Sequence, residues 1–265
     1  MTFLIGMASG LAVMPLFFVF VFVLRNGLPA FDWAFFTSLP APMGQAGGGM
    51  ANALLGSLIL VAVAGAVAIP FGILVGVYLS EYKTDRFTNV VRFVVDLLMG
   101  IPSIVIGLFA YSIFVISMKT FSGWAGSFAL IMIMLPPIVK STEEVLGLVP
   151  VAVREAGLAL GLSRWRVSLL VVLRGQKAAV TTGVMLAIAR AGGETAPLLF
   201  TAFGNQFWPR SMSEPMPSLP VQIYNYAISP FPDAHRQAWA GACLLLVLMF
   251  LVNLLSRFLT SRGGR

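Results

Sequence analysis

Between Ala51 and Leu79 the chain runs for 29 residues without a Lys, Arg, Asp, Glu or His. A helix needs about 20 such residues to cross the ~30 Å hydrocarbon core of a bilayer. Inside lipid, every backbone N–H and C=O has to be satisfied by the chain itself, and a lone apolar run of this length does so as a helix. Similar windows recur, and together they predict six spans at about 2–24, 51–79, 91–117, 125–148, 178–204 and 237–259. The second is long enough to tilt, or to break near Pro70. The fourth is the least regular, because "LPPIV" interrupts it and Lys140, Glu143 and Glu144 lie near its end. Prolines within spans need neighbouring helices to satisfy the freed backbone groups, which implies a packed bundle.

Composition agrees with this reading. The chain is 58% hydrophobic and only 10% charged, against about a quarter charged in a soluble domain. Core helices of a soluble enzyme would be shorter and more often broken by charge. The net charge of +7 does not signal nucleic-acid binding, since the basic residues fall in short loops between spans and not on one face. The one cysteine, Cys243, lies in an apolar run, so it supports neither a disulfide framework nor a zinc site. The first residues lack the basic start of a secretory signal and read as a first span. No Lys or Arg precedes Arg25, which would suit Met1 being an internal start of a longer chain.

Lys and Arg set orientation. With the N-terminus inside, one side holds Lys83, Arg86, Arg92, Lys140, Arg154, Arg164, Arg166, Arg174, Lys177, Arg257, Arg262 and Arg265, and the other holds Arg25, Lys119, Arg210 and Arg236. Twelve against four predicts both termini in the cytoplasm. Trp33, Trp124, Trp208 and Trp239 then fall on or near the outer interface, and the outer loops at 25–50 and 205–236 read as ordered flaps with little regular structure. Small residues recur in the spans, as in "AVAGAVAIPFGILVG", and suit close helix packing. No internal repeat is strong enough to indicate an inverted-repeat transporter.

The longest cytoplasmic segment, 139–177, has a helical grammar of its own. Ser141 followed by Glu144 fits a capping box. Pro150 can open a new helix running through Arg154 and Glu155 to Leu160. Gly161 would supply a left-handed turn, and Ser163 can cap a second helix carrying Arg164, Trp165 and Arg166. Such a helix–Gly–helix unit at the membrane surface fits either contact with anionic lipid or docking of a soluble partner. The residues alone leave both open.

Within this segment, "EAGLALG" followed nine residues later by "VVL" resembles the EAA motif of bacterial ABC importer permeases: Glu-Ala-Ala, three residues, Gly, nine residues, then Ile-x-Leu-Pro. Glu155, Ala156 and Gly161 match, and Val171 and Leu173 fall on the apolar positions. Gly157 replaces the second alanine and Arg174 the terminal proline. The stretches "GIPSIVIGLFAY" (100–111) and "ARAGGETAPLLFTAFG" (189–204) extend the likeness to the phosphate-specific branch of the PstA type. The resemblance implies an all-α type I importer fold, one transmembrane domain over 1–265 with a permease core at about 51–259. It implies that Glu155, Ala156, Gly157, Gly161, Arg164 and Arg166 form a coupling helix and its flank, in the groove of a cytosolic ATPase. It also implies partners: a second, homologous permease, two ATPase subunits that bind the ATP and Mg, and an extracytoplasmic phosphate-binding protein, all at the bacterial cytoplasmic membrane.

Arg190 and Glu194 are ionisable residues in the middle of the fifth span, and intramembrane charges mark pathways by default. Four apart on a helix, they share one face. They read either as a salt bridge joining helices or as an oxyanion site in which Glu194 holds Arg190 when the site is empty; likeness to the phosphate permeases implies the second. Thr195 and Thr201 can add hydroxyls, although a backbone hydrogen bond is the simpler use of each, and Pro197 is expected to bend the span. Asp96 is expected to pair with Arg92 one turn away, and His235 to be a solvated loop histidine. The chain has no G-x-x-x-x-G-K-[ST] and no metal-spaced ligand cluster, so it reads as a transport subunit and not an enzyme, with no cofactor of its own. The rivals are a permease for sulfate, molybdate or phosphonate, an ion-coupled secondary transporter, and an anchoring subunit without a pathway.

Overall fold

The computed structural model describes residues 2–42, 44–45, 47–82 and 85–262. Of the residues that set orientation, Lys83 and Arg265 lie outside these, as does the side chain of Arg262. Helix α1 (Thr2–Gly27) is followed by a 3₁₀ turn at Leu28–Ala30 and the short α2 (Trp33–Thr37), whose first turn is capped by the Asp32 carboxylate accepting from the Phe35 N–H at 2.7 Å. Helix α3 (Ala51–Glu81) is unbroken, so Pro70 neither interrupts nor ends it. Then come α4 (Arg86–Gly100) and α5 (Ser103–Ala110), which continues through a π-helical stretch, Tyr111–Val115, into α6 (Ile116–Met118). Helix α7 (Gly123–Gly147) leads to α8 (Val151–Ala159) and α9 (Arg164–Arg166), the latter extended by a second π-helical stretch, Val167–Leu173. The chain closes with α10 (Lys177–Gly192), α11 (Ala196–Thr201), α12 (Leu219–Ala227) and α13 (Pro232–Arg262). Among the described residues there is no strand, only two isolated bridges.

Helices α1, α3, α7 and α13 are each long and apolar enough to span a bilayer, and two bent pairs raise the count to six. The bends correct the sequence reading. The predicted third span, 91–117, turns by 104° between Gly100 and Ser103, because Pro102 keeps Ile101 out of the helical region (φ −74°, ψ 129°). The predicted fifth span, 178–204, stops at Gly192 and resumes only at Ala196. Its entrance bends as well, by 77°, between Leu173 and Lys177.

Helix α7 is the most deeply embedded of the four straight spans. On α3, Ala64, Ala68, Gly72 and Gly76 form a buried ladder of small residues four apart. A Cβ on Gly72 would lie 2.9 Å from Cβ of Ile138, and one on Gly76 would lie 2.8 Å from the carbonyl of Val139. The two backbones therefore meet directly. Leu60, Leu130, Met134, Ile138, Val184, Ala187 and Leu198 complete the main core around this seam, drawing α10 and α11 onto it.

Because α7 continues to Gly147, residues 139–147 are helix and the irregular part starts at Leu148. Ser141 is not a cap: its hydroxyl donates to the Ile138 carbonyl at 3.2 Å inside the helix. Its neighbours reach across to α4. Arg92 pairs with Glu143 at 2.6 Å, and Lys140 with Asp96 at 2.9 Å, so the expected Arg92–Asp96 pairing does not occur. The opposite end of the bundle is clasped by connecting segments. Asn52 Nδ2 donates to the Asn205 carbonyl at 2.7 Å, and the Leu219 N–H donates to Ser57 Oγ at 2.7 Å. His235 belongs to the first turns of α13, with Nε2 2.6 Å from the Ser229 carbonyl.

Candidate functional site

Two places concentrate chemistry. The first is α8 and the turn that follows it. Pro150 stands just before the helix, where its missing N–H is harmless, and Gly161 leaves the helix with φ +82°, as the sequence predicted. Ser163 precedes the next helix, although its side chain makes no cap hydrogen bond. Helix α8 has two faces. Arg154 and Gly157, three apart, point into the protein. A Cβ on Gly157 would approach Cγ2 of Val167 to 2.9 Å, so the glycine lets α8 lie close against the π-helical stretch. Val151, Glu155 and Leu158 form the other face, exposed, together with Ala156. Leu148 and Leu160, both 82% exposed, rim it at either end. Arg164 and Arg166 are exposed beside it, with the Arg166 guanidinium 5.2 Å from the Trp165 ring centre. A carboxylate and two arginines around bare leucines and valines make a surface built for contact.

The apolar positions Val171 and Leu173 are half-buried against Val77, Leu146, Val149 and Val180. Arg174 is exposed at the 77° bend. The chain turns there without a proline; Gly175 sits at the corner, with open space around it.

The second place is the gap between α10 and α11. Arg190 lies in the last turn of α10, where a cation complements the helix dipole. Glu194 lies beyond the helix end, in the break, and not on the same helix as expected. The chain leaves the helix at Gly193 (φ −97°, ψ −3°), whose N–H donates to the Arg190 carbonyl at 3.1 Å, while that of Glu194 donates to the Ala191 carbonyl at 3.2 Å. The carboxylate still folds back: Glu194 Oε1 is 3.6 Å from Arg190 Nε. That is an ion pair too long for a hydrogen bond. The Arg190 side chain is 50% exposed and that of Glu194 15% exposed. Arg190 has no other ion pair or side-chain hydrogen bond to a described residue, so most of its guanidinium donors are free to meet something else. Thr195 sits next in the break. Thr201 does not join the site, because its hydroxyl donates to the Pro197 carbonyl at 2.7 Å. Pro197 instead marks where α11 and α5 touch: a Cβ on Gly107 would lie 2.6 Å from its Cα.

Residues 68–263 match the family model described as the binding-protein-dependent transport system inner membrane component. The chain belongs to this permease family. The permease is 46% identical over 237 residues to the phosphate transport system permease protein PstA of Haemophilus influenzae, covering 89% of this chain and 83% of that one. It is 43% identical over 238 residues to the protein of the same name from Yersinia pestis, covering 89% and 81%. With a probable phosphate transport system permease protein PstA of Methanocaldococcus jannaschii it shares 33% identity over 250 residues, covering 94% and 88%. Its fold is that of a chain in an inward-facing MetNI methionine ABC transporter, with a TM-score of 0.68 at 17% identity over 80% of the permease and 95% of that chain. The permease is therefore an all-α, multi-pass membrane protein with the architecture of a type I ABC importer subunit, a family whose members work with ATPase and binding-protein components.

What sequence reasoning missed is Arg154. The sequence places it on the first helix of the loop and among the basic residues that set orientation, while its spacing from Gly157 puts it on the packed face of α8.

Proposed function

We propose that this permease subunit carries inorganic phosphate inward through a path that passes Arg190, with Glu194 and Thr195 beside it. The observation that carries the reading is the half-exposed guanidinium at the break after α10, held only loosely by a carboxylate 3.6 Å away. A guanidinium left bare in a membrane protein is costly, and a carboxylate reduces that cost while the path is empty. Phosphate oxygens fit the planar fork better, through short charge-assisted hydrogen bonds. The named phosphate permeases that match over about nine-tenths of this chain support phosphate over other oxyanions.

Exposure of Arg190 on a single subunit suits a path completed by a second permease, homologous but different, as resemblance implies. Two cytosolic ATPases would supply the energy, holding the ATP and Mg, and an extracytoplasmic phosphate-binding protein would deliver the cargo. Helix α8 and its flank, with Glu155, Ala156, Gly157, Gly161, Arg164 and Arg166, would dock the ATPase and place both termini in the cytoplasm. Such a surface couples only if it interacts differently with the two ATPase states.

The test is phosphate uptake by the reconstituted importer carrying Arg190→Gln. Uptake is expected to fall by at least tenfold, roughly the worth of one charge-assisted hydrogen bond, with the subunit still in the membrane. Wild-type uptake would remove Arg190 from the path. Uptake of sulfate, molybdate or phosphonate in preference to phosphate would reassign the cargo. Flux by the purified chain alone under a proton gradient would replace the ATP-driven reading with a secondary transporter.

A further inference from the structure

Arg154 uses all three nitrogens of its guanidinium at the root of α8. Nε donates to Glu81 Oε1 at 3.1 Å, Nη1 to the Val149 carbonyl at 2.7 Å, and Nη2 to the Leu146 carbonyl at 2.9 Å. These three acceptors belong to different elements: Glu81 ends α3, Leu146 lies in the last turn of α7, and Val149 lies in the turn between α7 and α8. The side chains are largely enclosed, 16% exposed for Arg154 and 22% for Glu81.

Each contact answers a need created by the helices. The Leu146 carbonyl accepts from the Val149 N–H at 3.3 Å in the turn, and the guanidinium adds a charged donor there, where the α7 dipole favours a cation. Glu81 places a carboxylate at the C-terminal end of α3, where the dipole disfavours it unless a cation is close. One guanidinium meets both.

Otherwise α8 is weakly tied. It joins α7 through the turn Leu148–Pro150 and the next helix through the turn around Gly161, and it rests on the π-helical stretch at Gly157. A push on its exposed face would pivot the helix about those turns if nothing held its inner side. Arg154 passes the push to the ends of α3 and α7, which the Gly72 and Gly76 contacts join backbone to backbone. Helix α7 in turn packs on α10, which carries Arg190.

We infer that Arg154 is the positioning residue that makes α8, α3 and α7 move together, so that force received at the exposed face of α8 reaches the transport path. This inference rests on α8 being the ATPase-docking element. Its mark is a separation of docking from transmission: residues on the outer face hold the ATPase, and Arg154 converts what the ATPase does into movement of the spans.

The experiment uses the complete importer in proteoliposomes and reads two quantities: ATPase retained on the tagged permease, and phosphate taken up per ATP hydrolysed. Arg154→Gln is expected to keep the ATPase bound while uptake per ATP falls by about tenfold or more, the worth of charge-assisted hydrogen bonds lost. Arg154→Lys keeps the charge beside Glu81, but its single ammonium does not bridge both carbonyls, so an intermediate ratio is expected. Glu155→Lys, on the outer face, is expected to lose the ATPase itself. A wild-type ratio in Arg154→Gln overturns the inference. Should that variant fail to reach the membrane, Glu81→Ala decides, since it removes the tie to α3 and spares the carbonyl contacts; a reduced ratio supports the inference, and a wild-type one shows that α3 does not move through Arg154 and overturns it. If Glu155→Lys keeps both ATPase and ratio, the docking assignment falls, whatever Arg154 does.

Discussion

At Gly157 the space for a side chain is occupied by the methyl groups of Val167, the nearest 2.9 Å from where a Cβ would be. At Gly161 the space is open, but φ is +82°. The two glycines thus fail differently when substituted. Gly157→Ala gains about 0.5–1 kcal/mol of helix preference but sets a Cβ 2.9 and 3.2 Å from the two methyl groups of the buried, stiff Val167, so a small net destabilisation is expected. Gly157→Val overpacks the same contact and should cost about 1–3 kcal/mol. Gly161→Ala meets no neighbour and should cost about 1–2 kcal/mol through backbone strain alone. Thermal unfolding of the purified subunit checks the order, and a Gly161→Ala midpoint equal to wild type would contradict it. The Gly161 turn was legible from one residue, since only a left-handed glycine fits between two short helical runs. The Gly157 contact was not, because nothing in the sequence says which side chain lies ten residues on and across the turn.

At the scale of elements, α4 is held to α7 by two ion pairs and joins α5 through the 104° turn. Arg92 carries the larger share. Besides Glu143 at 2.6 Å it reaches the Leu79 carbonyl at 3.4 Å and Asn89 Oδ1 at 3.3 Å, and the Glu143 side chain is only 14% exposed. Arg92→Ala leaves that carboxylate without its cation and is expected to cost about 1–3 kcal/mol, seen as faster hydrogen exchange confined to α4. Unchanged exchange there would show that apolar packing through Val91 and Val95 suffices.

These pairs also explain what the sequence concealed. The positions of the apolar spans were readable from length and hydropathy. Lys140, Glu143 and Glu144 suggest the end of a span and Ser141 a new cap, whereas Lys140 and Glu143 pair with a helix 44 to 51 residues away and α7 runs on beneath them. The two breaks did have local signals, Ile101-Pro102 and Gly192-Gly193. Apolar runs continuing across them masked both, because hydropathy averages over direction while a turn does not change it. Glu194 accordingly left the helix and still found Arg190, since a carboxylate in a tight turn can reach back to the residue it would have faced.

For the whole molecule, the ends of the bundle differ in chemistry. Arg92, Lys140, Arg154, Arg164 and Arg166 gather where α3 and α7 finish, while Trp33, Trp124, Trp208 and Trp239 belong to the segments around the other end. With the basic end inward, Ser163→Cys should react with a membrane-impermeant maleimide only when the cytoplasmic face is open. Ser213→Cys should react in intact cells; both positions are exposed, whereas the natural Cys243 is buried. Labelling with the sides exchanged would invert the topology.

The ladder of small residues along α3 has a consequence for how such a molecule can change shape. Helices separated by large side chains can slide by exchanging rotamers. Where Gly72 and Gly76 put backbone against Ile138, Val139 and Thr142, there is no soft layer to shear. The α3–α7 pair is therefore a keel: it can tilt or turn, but not lengthen or slip. Adjustment falls to the bends and breaks between helices, at 101–102, 174–176 and 193–195, and the last of these is where Arg190 meets Glu194.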